Sequence, residues 1–362
     1  MSFANCINTI SATYILYPVY LQHNSVISMF RYFGSKASSA KFVADIALDG
    51  VGPTTVADAF GGLGNIGAEF KQRGCHVTTC DLLTFPNAFQ HARIGCQEVP
   101  QFVRVREELG IGSTAELLDV LNKAERPSHW FVREYSQLRP FFTPENGRHV
   151  GAAWANIVRW NRRGWLSDTE RKYAVASLLN CADACANTAG TYYAYLKSWH
   201  RKALKPFRME WLASVPGSIP GIALKGDALE CLANKSFGVL YLDPPYNSRD
   251  YSRYYHLPET LAKLRAVSID KTSTAGQPVR RSTEGQAIRE AMREPYIANL
   301  IKSVKWKRLI VEYADGAHIP TMKLQRALSE FGTVMVHVAP ALGYRTTSGI
   351  RGQKHHVFVV DC

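Results

Sequence analysis

The sequence predicts an α/β chain: a mostly parallel sheet finished by a C-terminal antiparallel hairpin, with a mainly helical domain inserted between its two halves. Three observations carry this. Residues 54–60 (Thr-Thr-Val-Ala-Asp-Ala-Phe) form a short apolar run that enters a glycine-rich turn. A second group of apolar runs begins only at Val239. The stretch between, about 96–215, is rich in aromatic and basic residues and lacks strand–helix alternation. The expected division is 29–95 plus 216–362 for the sheet-bearing domain and 96–215 for the insert, with 1–28 outside both.

Taken in order, residues 1–29 hold none of the chain's Lys, Arg, Asp or Glu. Pro18, Gln22, His23 and Asn24 break up this leader, which fits neither a secretory signal nor a membrane span. Because Met29 stands directly before the first motif, residues 1–28 are expected to add little to the fold. Strand 54–60, the turn Gly61-Gly62-Leu63-Gly64-Asn65, a helix over 66–72 and, after Gly74, a strand over 75–81 make a βαβ unit, whose ligands sit at the carboxyl ends of the strands. Later strands are expected at 239–243, 308–313, 334–338 and 356–361, with a helix near 323–331; the last two strands would form the hairpin at the sheet edge. The Ser-, Thr- and Gly-rich stretch 268–287 reads as a mobile loop.

The 362 residues include 43 Lys and Arg against 30 Asp and Glu, a formal charge of +13. An excess of that size concentrates polyanions around a protein and directs attention to nucleic acid or an anionic membrane surface. Eight cysteines are scattered without a CxxC pair, as expected for reduced thiols of a cytosolic protein. Cys181 and Cys185 lie one helical turn apart, but with no further ligands nearby they read as small core residues, and no metal site is expected.

Two motifs carry chemistry. In Asp58-Ala-Phe60-Gly-Gly62-Leu-Gly64, glycines between a strand and a helix let the backbone approach a ligand that a Cβ would hold away. Asp81, at the end of the next strand, can accept hydrogen bonds from both hydroxyls of a ribose, so the pair suggests an adenosine-containing cofactor. The second motif is an apolar strand running into Asp243-Pro244-Pro245-Tyr246. Two prolines without N–H groups and with restricted φ make a stiff exit with free carbonyls and a fixed aromatic. That shape suits an exocyclic amine of adenine, whose lone pair is delocalised into the ring. Hydrogen bonds accepted by the Asp243 carboxylate and the Pro244 carbonyl would return density to the nitrogen, and Tyr246 would stack on the base.

The segment Phe30-Arg31-Tyr32-Phe33-Gly34-Ser35-Lys36 resembles the N-terminal cofactor motif of Dam-like adenine-specific DNA methyltransferases, in which an aromatic residue and a lysine four positions later contact S-adenosylmethionine. Tyr32 and Lys36 take those positions. By the same resemblance the segment Asp58 to Gly64, with Phe60, Gly62 and Gly64, is the first cofactor loop, Asp81 is the ribose acid, Asp227 (in Gly226-Asp227) the adenine-side acid, and Asp243 to Tyr246 the catalytic motif, with Asp243 also beside the cofactor. The motif order is that of the family. Departures are Ser35 where glycine is usual, Tyr32 where tryptophan is common, and His356 where an acid is expected in a segment (344–357) that resembles one near DNA.

The resemblance implies a Rossmann-like methyltransferase sheet with an inserted DNA-recognition domain. It implies S-adenosylmethionine as methyl donor, no metal, and direct transfer to an adenine flipped out of double-stranded DNA. It also implies a cytoplasmic protein, monomeric, working beside a restriction endonuclease and not at a membrane. Between Arg159 and Arg208 ten basic residues face three acids, interleaved with Trp160, Trp165, Tyr192, Tyr193, Tyr195 and Trp199. This is the composition of a surface that grips phosphates and stacks on bases, and Arg159, Arg162, Arg163, Lys197, Arg201, Lys202 and Lys205 are its expected DNA contacts. Methylation of the cytosine amine is the near alternative, for which related enzymes more often carry Ser at the position of Asp243. A catalytically silent DNA-binding protein on the same scaffold is the alternative from another class.

Overall fold

The computed structural model describes residues 29–246, 250–279, 284–342, 345–346, 349–350 and 353–361; the uncharged leader 1–28 lies outside them. β1 (Thr55–Asp58), the helix Asn65–Gln72 and β2 (His76–Asp81) form the expected βαβ unit, with β1 and β2 parallel. β3 (Ile222–Lys225) extends the sheet beyond β2, and β4 (Ser236–Leu242) pairs with the other edge of β1 and with β5 (Lys305–Ala314), all parallel. β6 (Thr333–Leu342) follows, then a separate two-stranded ladder of β7 (Arg345–Thr346) and β8 (Gly349–Ile350). β9 (Gln353–Asp361) closes the sheet by running antiparallel between β5 and β6. The order is β3-β2-β1-β4-β5-β9-β6. The antiparallel pair of β6 and β9 therefore stands at the sheet edge as expected, with β9 paired to β5 and β6 as the outer strand. β3 was not anticipated, because its four residues, Ile-Ala-Leu-Lys, make too short a run to stand out, and all four are exposed or half-buried.

β4 reads Phe-Gly-Val-Leu-Tyr-Leu after its first residue and is buried along that whole length, as a central strand covered on both faces must be. Strand order reverses between β1 and β4, and a reversal in a parallel sheet opens a crevice at the carboxyl ends. Asp58, which ends β1, is in register with Tyr241, two residues before Asp243. The glycine turn and the diproline corner thus leave neighbouring strands side by side.

In the 96–215 stretch, helix Pro144–Arg162 starts at a Thr143 cap and helix Asp168–Ala184 at a Ser167/Glu170 capping box. Trp160, Tyr173 and Leu178 from these helices share one buried cluster with Phe85 and Phe89 of helix Thr84–Gln90 and with Leu257 and Leu261 of helix His256–Ala262. Of the six interleaved aromatics, Trp160 and Tyr192 are core residues, whereas Tyr193 and Trp199 are 46% and 42% exposed. Periodicity cannot separate the two groups, since an aromatic on a helix carries the same letter whichever side it faces. The expected loop 268–287 is also different: Ile269 bridges Pro278, the Tyr135 hydroxyl donates to Gly276 O at 2.8 Å, and Glu284–Ala291 is helical.

Trp160→Ala should lower stability by about 3–5 kcal/mol through the cavity it leaves. Trp199→Ala should change it by no more than about 0.5 kcal/mol. Denaturant unfolding of the two variants checks this contrast.

Candidate active site

A cleft opens at the strand-order reversal, lined among others by Tyr32, Lys36, Asp58, Phe60, Gly62, Asp81, Asp227, Asp243, Pro244, Pro245 and Tyr246. Residues spread over more than 200 positions are brought together here. Gly64 stands just outside the lining and serves the turn: its φ of +72° begins helix Asn65–Gln72. Gly62, at φ +50°, faces the Tyr32 ring, which a Cβ would meet at 3.1 Å. These glycines serve packing inside the loop as much as the approach of a ligand.

The diproline corner is held by a buried ion pair, Lys36 Nζ to Asp243 Oδ2 at 2.5 Å. The other oxygen, Asp243 Oδ1, is buried and meets no hydrogen-bond partner among the described residues. Burial pushes the Asp243 carboxyl up to about 6; Lys36 opposes this and Glu312 adds to it. Burial works against the Lys36 ammonium too, but Asp243 and Glu312 outweigh it and hold Lys36 above its ordinary value. Tyr246 is fixed edge-on against Tyr313 and His355, with ring centroids 6.1 and 6.0 Å away, and the Lys36 ammonium lies 5.6 Å from its ring centre.

On the glycine-loop side, Asp81 Oδ2 accepts from Gly62 N at 3.1 Å and Oδ1 from Leu83 N at 2.9 Å. Burial nevertheless pushes this carboxyl up to about 7. Asp227 caps helix Ala228–Leu232 and accepts the Tyr296 hydroxyl at 2.7 Å, and Tyr296 packs against Phe60. Ser35, where glycine was expected, accepts from Asn65 Nδ2 at 2.9 Å and so ties the N-terminal motif to the loop. Asp58 is 1% exposed; burial and the charges of Asp243 and Asp81 push it up to about 7, opposed by the backbone N–H groups of Gly67 and Phe60.

Asp58, the first residue of the segment that resembles a cofactor loop, lines the cleft. Two residues escaped the sequence reading. Glu312 is a fully buried acid inside the apolar run of β5, a signal that could have been found there, and His355 lies against it. The basic residues divide. Arg159, Arg162, Arg163, Lys197, Arg201 and Lys205 are exposed, but Lys202 turns inward, donating to Asp183 O at 2.7 Å, and burial lowers it to about 8. Asp183 also holds Arg31 at 3.3 Å and accepts from the Tyr192 hydroxyl at 3.2 Å, so it is a buried anchor for the N-terminal motif. Among the described residues no cluster of His, Cys, Asp and Glu is placed to hold a metal, and no helix is long and apolar enough to cross a membrane.

Residues 32–312 match the D12 class N6 adenine-specific DNA methyltransferases. The chain belongs to this family. Its reaction is the transfer of a methyl group from S-adenosylmethionine to the N6 amine of adenine in DNA. The type II methyltransferase M.NlaIII of Neisseria lactamica is 26% identical over 308 residues, covering 83% of this chain and 88% of that protein. M.FokI of Planomicrobium okeanokoites is 26% identical over 344 residues, 91% of this chain but 52% of the relative, so the chain spans about half of that protein's length. M.CviAII of Paramecium bursaria Chlorella virus 1 is 28% identical over 200 residues, 55% and 59% of the two chains. A solved structure, the magnesium protoporphyrin IX methyltransferase of Synechocystis with bound S-adenosylmethionine, covers 90% of this chain and 79% of its own at 10% identity and a TM-score of 0.28; the fold is read from the strand order instead.

The sulfonium and α-ammonium of this cofactor are cations, and Asp58, Asp81 and Asp243 are acids lining the cleft. Unfolded aspartates titrate near 4. Asp58 and Asp81, raised to about 7, and Asp243, raised to about 6, therefore contribute stability that is present below about pH 4 and lost as pH rises through 6–7. Asp58→Asn should accordingly raise the Tm of the cofactor-free protein at pH 8 by about 2–4 °C. It should weaken S-adenosylmethionine about tenfold or more in calorimetric titration.

Proposed function

We propose that this chain is a site-specific, adenine-specific DNA methyltransferase that takes its target base out of double-stranded DNA and holds it at Asp243–Tyr246. The observation that carries the reading is the half-satisfied Asp243 carboxylate: Lys36 fixes Oδ2, Oδ1 meets no hydrogen-bond partner among the described residues, and Asp243 lines the same cleft as Tyr32, Asp58 and Asp81. An N6–H donated to Oδ1, and the second to the Pro244 carbonyl, would draw density onto the nitrogen. Tyr246, immobilised by Tyr313 and His355, offers a face for the base. S-adenosylmethionine supplies an electrophilic methyl group. Tyr32, Lys36, Phe60, Gly62, Asp81 and Asp227 would hold it, with Asp58 added to that set. Flipping costs a few kcal/mol, and stacking of about 1–3 kcal/mol per base offsets it.

For DNA we keep six of the seven predicted contacts: Arg159, Arg162, Arg163, Lys197, Arg201 and Lys205. Lys202 is set aside as a half-buried partner of Asp183. Exposed Tyr193 stacks on Tyr254 at 5.0 Å, and the short helix Tyr251–Tyr254 begins with Tyr251, which lines the cleft. An exposed aromatic linked to the cleft in this way supports the entry of a flipped base from that side. The protein would act in the cytoplasm on chromosomal DNA, with a restriction endonuclease of the same specificity as its natural counterpart.

Transfer of tritium from labelled S-adenosylmethionine to DNA, followed by identification of the methylated base, tests the reading; labelled cytosine or no label overturns it. Asp243→Ala should reduce transfer by about 10³-fold or more with DNA affinity within about threefold. The single-turnover rate of the wild type should fall as pH drops through about 6, where Asp243 takes up a proton. If six phosphates are neutralised, DNA affinity should fall about 10³-fold between 50 and 200 mM salt. Removing Arg162 and Arg163 should flatten that slope by about two contacts, and an unchanged slope would exclude them from the interface.

A further inference from the structure

One buried acid touches a neighbour of each of three site residues. Glu312 lies on β5 with no solvent exposure. Its Oε2 accepts the hydroxyl of Tyr241, two residues before Asp243, at 2.8 Å. Its Oε1 accepts the hydroxyl of Ser39 at 3.3 Å, and the same Ser39 bonds the Lys36 carbonyl through its N–H at 3.1 Å. His355, from β9, brings Nδ1 to 3.3 Å of Glu312 Oε1, and the His355 ring stands at 89° to Tyr246. We propose that Glu312 is a positioning residue for methyl transfer, a buried hub that sets Lys36, Asp243 and Tyr246 in register and keeps the site net negative. This rests on the reading of Asp243 as the group that holds the amine.

Two physical arguments support it. First, a carboxylate inside an apolar strand is costly unless it is paired and hydrogen-bonded. Leu309, Ile310 and Val311 precede Glu312, and packing alone would be served by another aliphatic side chain. Burial would push the Glu312 carboxyl up, but His355, Lys36 and Tyr241 outweigh it and hold it below the usual range. Second, transfer carries positive charge from sulfur to the attacking nitrogen. Lys36 and Asp243 alone would be a neutral pair beside that nitrogen. With Glu312 behind them the cluster has two carboxylates to one ammonium, a preorganised field that favours the cationic nitrogen. His355 and Ser39 hold the hub, and neither needs to touch substrate.

Glu312→Gln keeps the shape and removes the charge. The single-turnover rate should fall about tenfold or more, while the Kd for S-adenosylmethionine and the Kd for DNA stay within about threefold. His355→Gln should show a smaller loss of the same kind. A Glu312→Gln rate within twofold of wild type, or rate and cofactor affinity falling in equal proportion, overturns the proposal. If Glu312→Gln does not fold, Tyr241→Phe, which deletes one hydroxyl, takes its place: about a threefold or greater loss of rate at unchanged cofactor affinity supports the hub, and an unchanged rate overturns it. Wild-type protein run in parallel separates the two levels. A wild type that does not methylate adenine defeats the functional reading, whereas a methylating wild type matched by its variants defeats this inference alone.

Discussion

The ion pair between Lys36 and Asp243 is the constraint on which the site depends. It joins two segments 207 positions apart in the chain, with the two side chains only 5% and 14% exposed. A pair of that kind contributes little to stability compared with an apolar replacement, but breaking one side leaves an uncompensated charge. Its value here is geometric. One Asp243 oxygen is locked, so the other has a single direction in which to act. The locked oxygen requires β4 beside β1, the N-terminal motif folded over their ends, and the aromatic neighbours of Tyr32 that hold that motif down.

The N-terminal motif is held from the helical side as well as from the sheet. Phe30 N donates to Asn180, Arg31 pairs with Asp183, and Phe33 N donates to the Tyr255 hydroxyl at 2.6 Å. Helix Asp168–Ala184 therefore fixes the strap that carries Tyr32 and Lys36. Phosphate contacts on the same body of helices would act on a scaffold already rigidly joined to the cofactor cleft.

The sheet and both motifs were legible in the sequence because glycine and proline restrict the backbone locally and so declare their geometry. The βαβ unit at residues 54–81 and the strand before Asp243 could be placed to within two or three residues. What could not be read depends on the direction of a side chain in three dimensions. Lys202 counts as one more positive charge in composition, yet its ammonium binds a carbonyl inside the protein. Trp160 and Trp199 share a letter and differ completely in burial. Glu312 and His355 carry no motif, and their meaning appears only when β5 and β9 are seen to be neighbours, a pairing no local pattern announces.

That pairing bears on when the protein can work. The strand that fills the gap between β5 and β6 comes after both of them in the chain, so during synthesis β5 waits with an open edge until residues 353–361 have left the ribosome. His355 arrives with them. A chain that stops before β9 would keep the glycine turn and the diproline corner and still lack both the strand between β5 and β6 and the His355 ring against Tyr246.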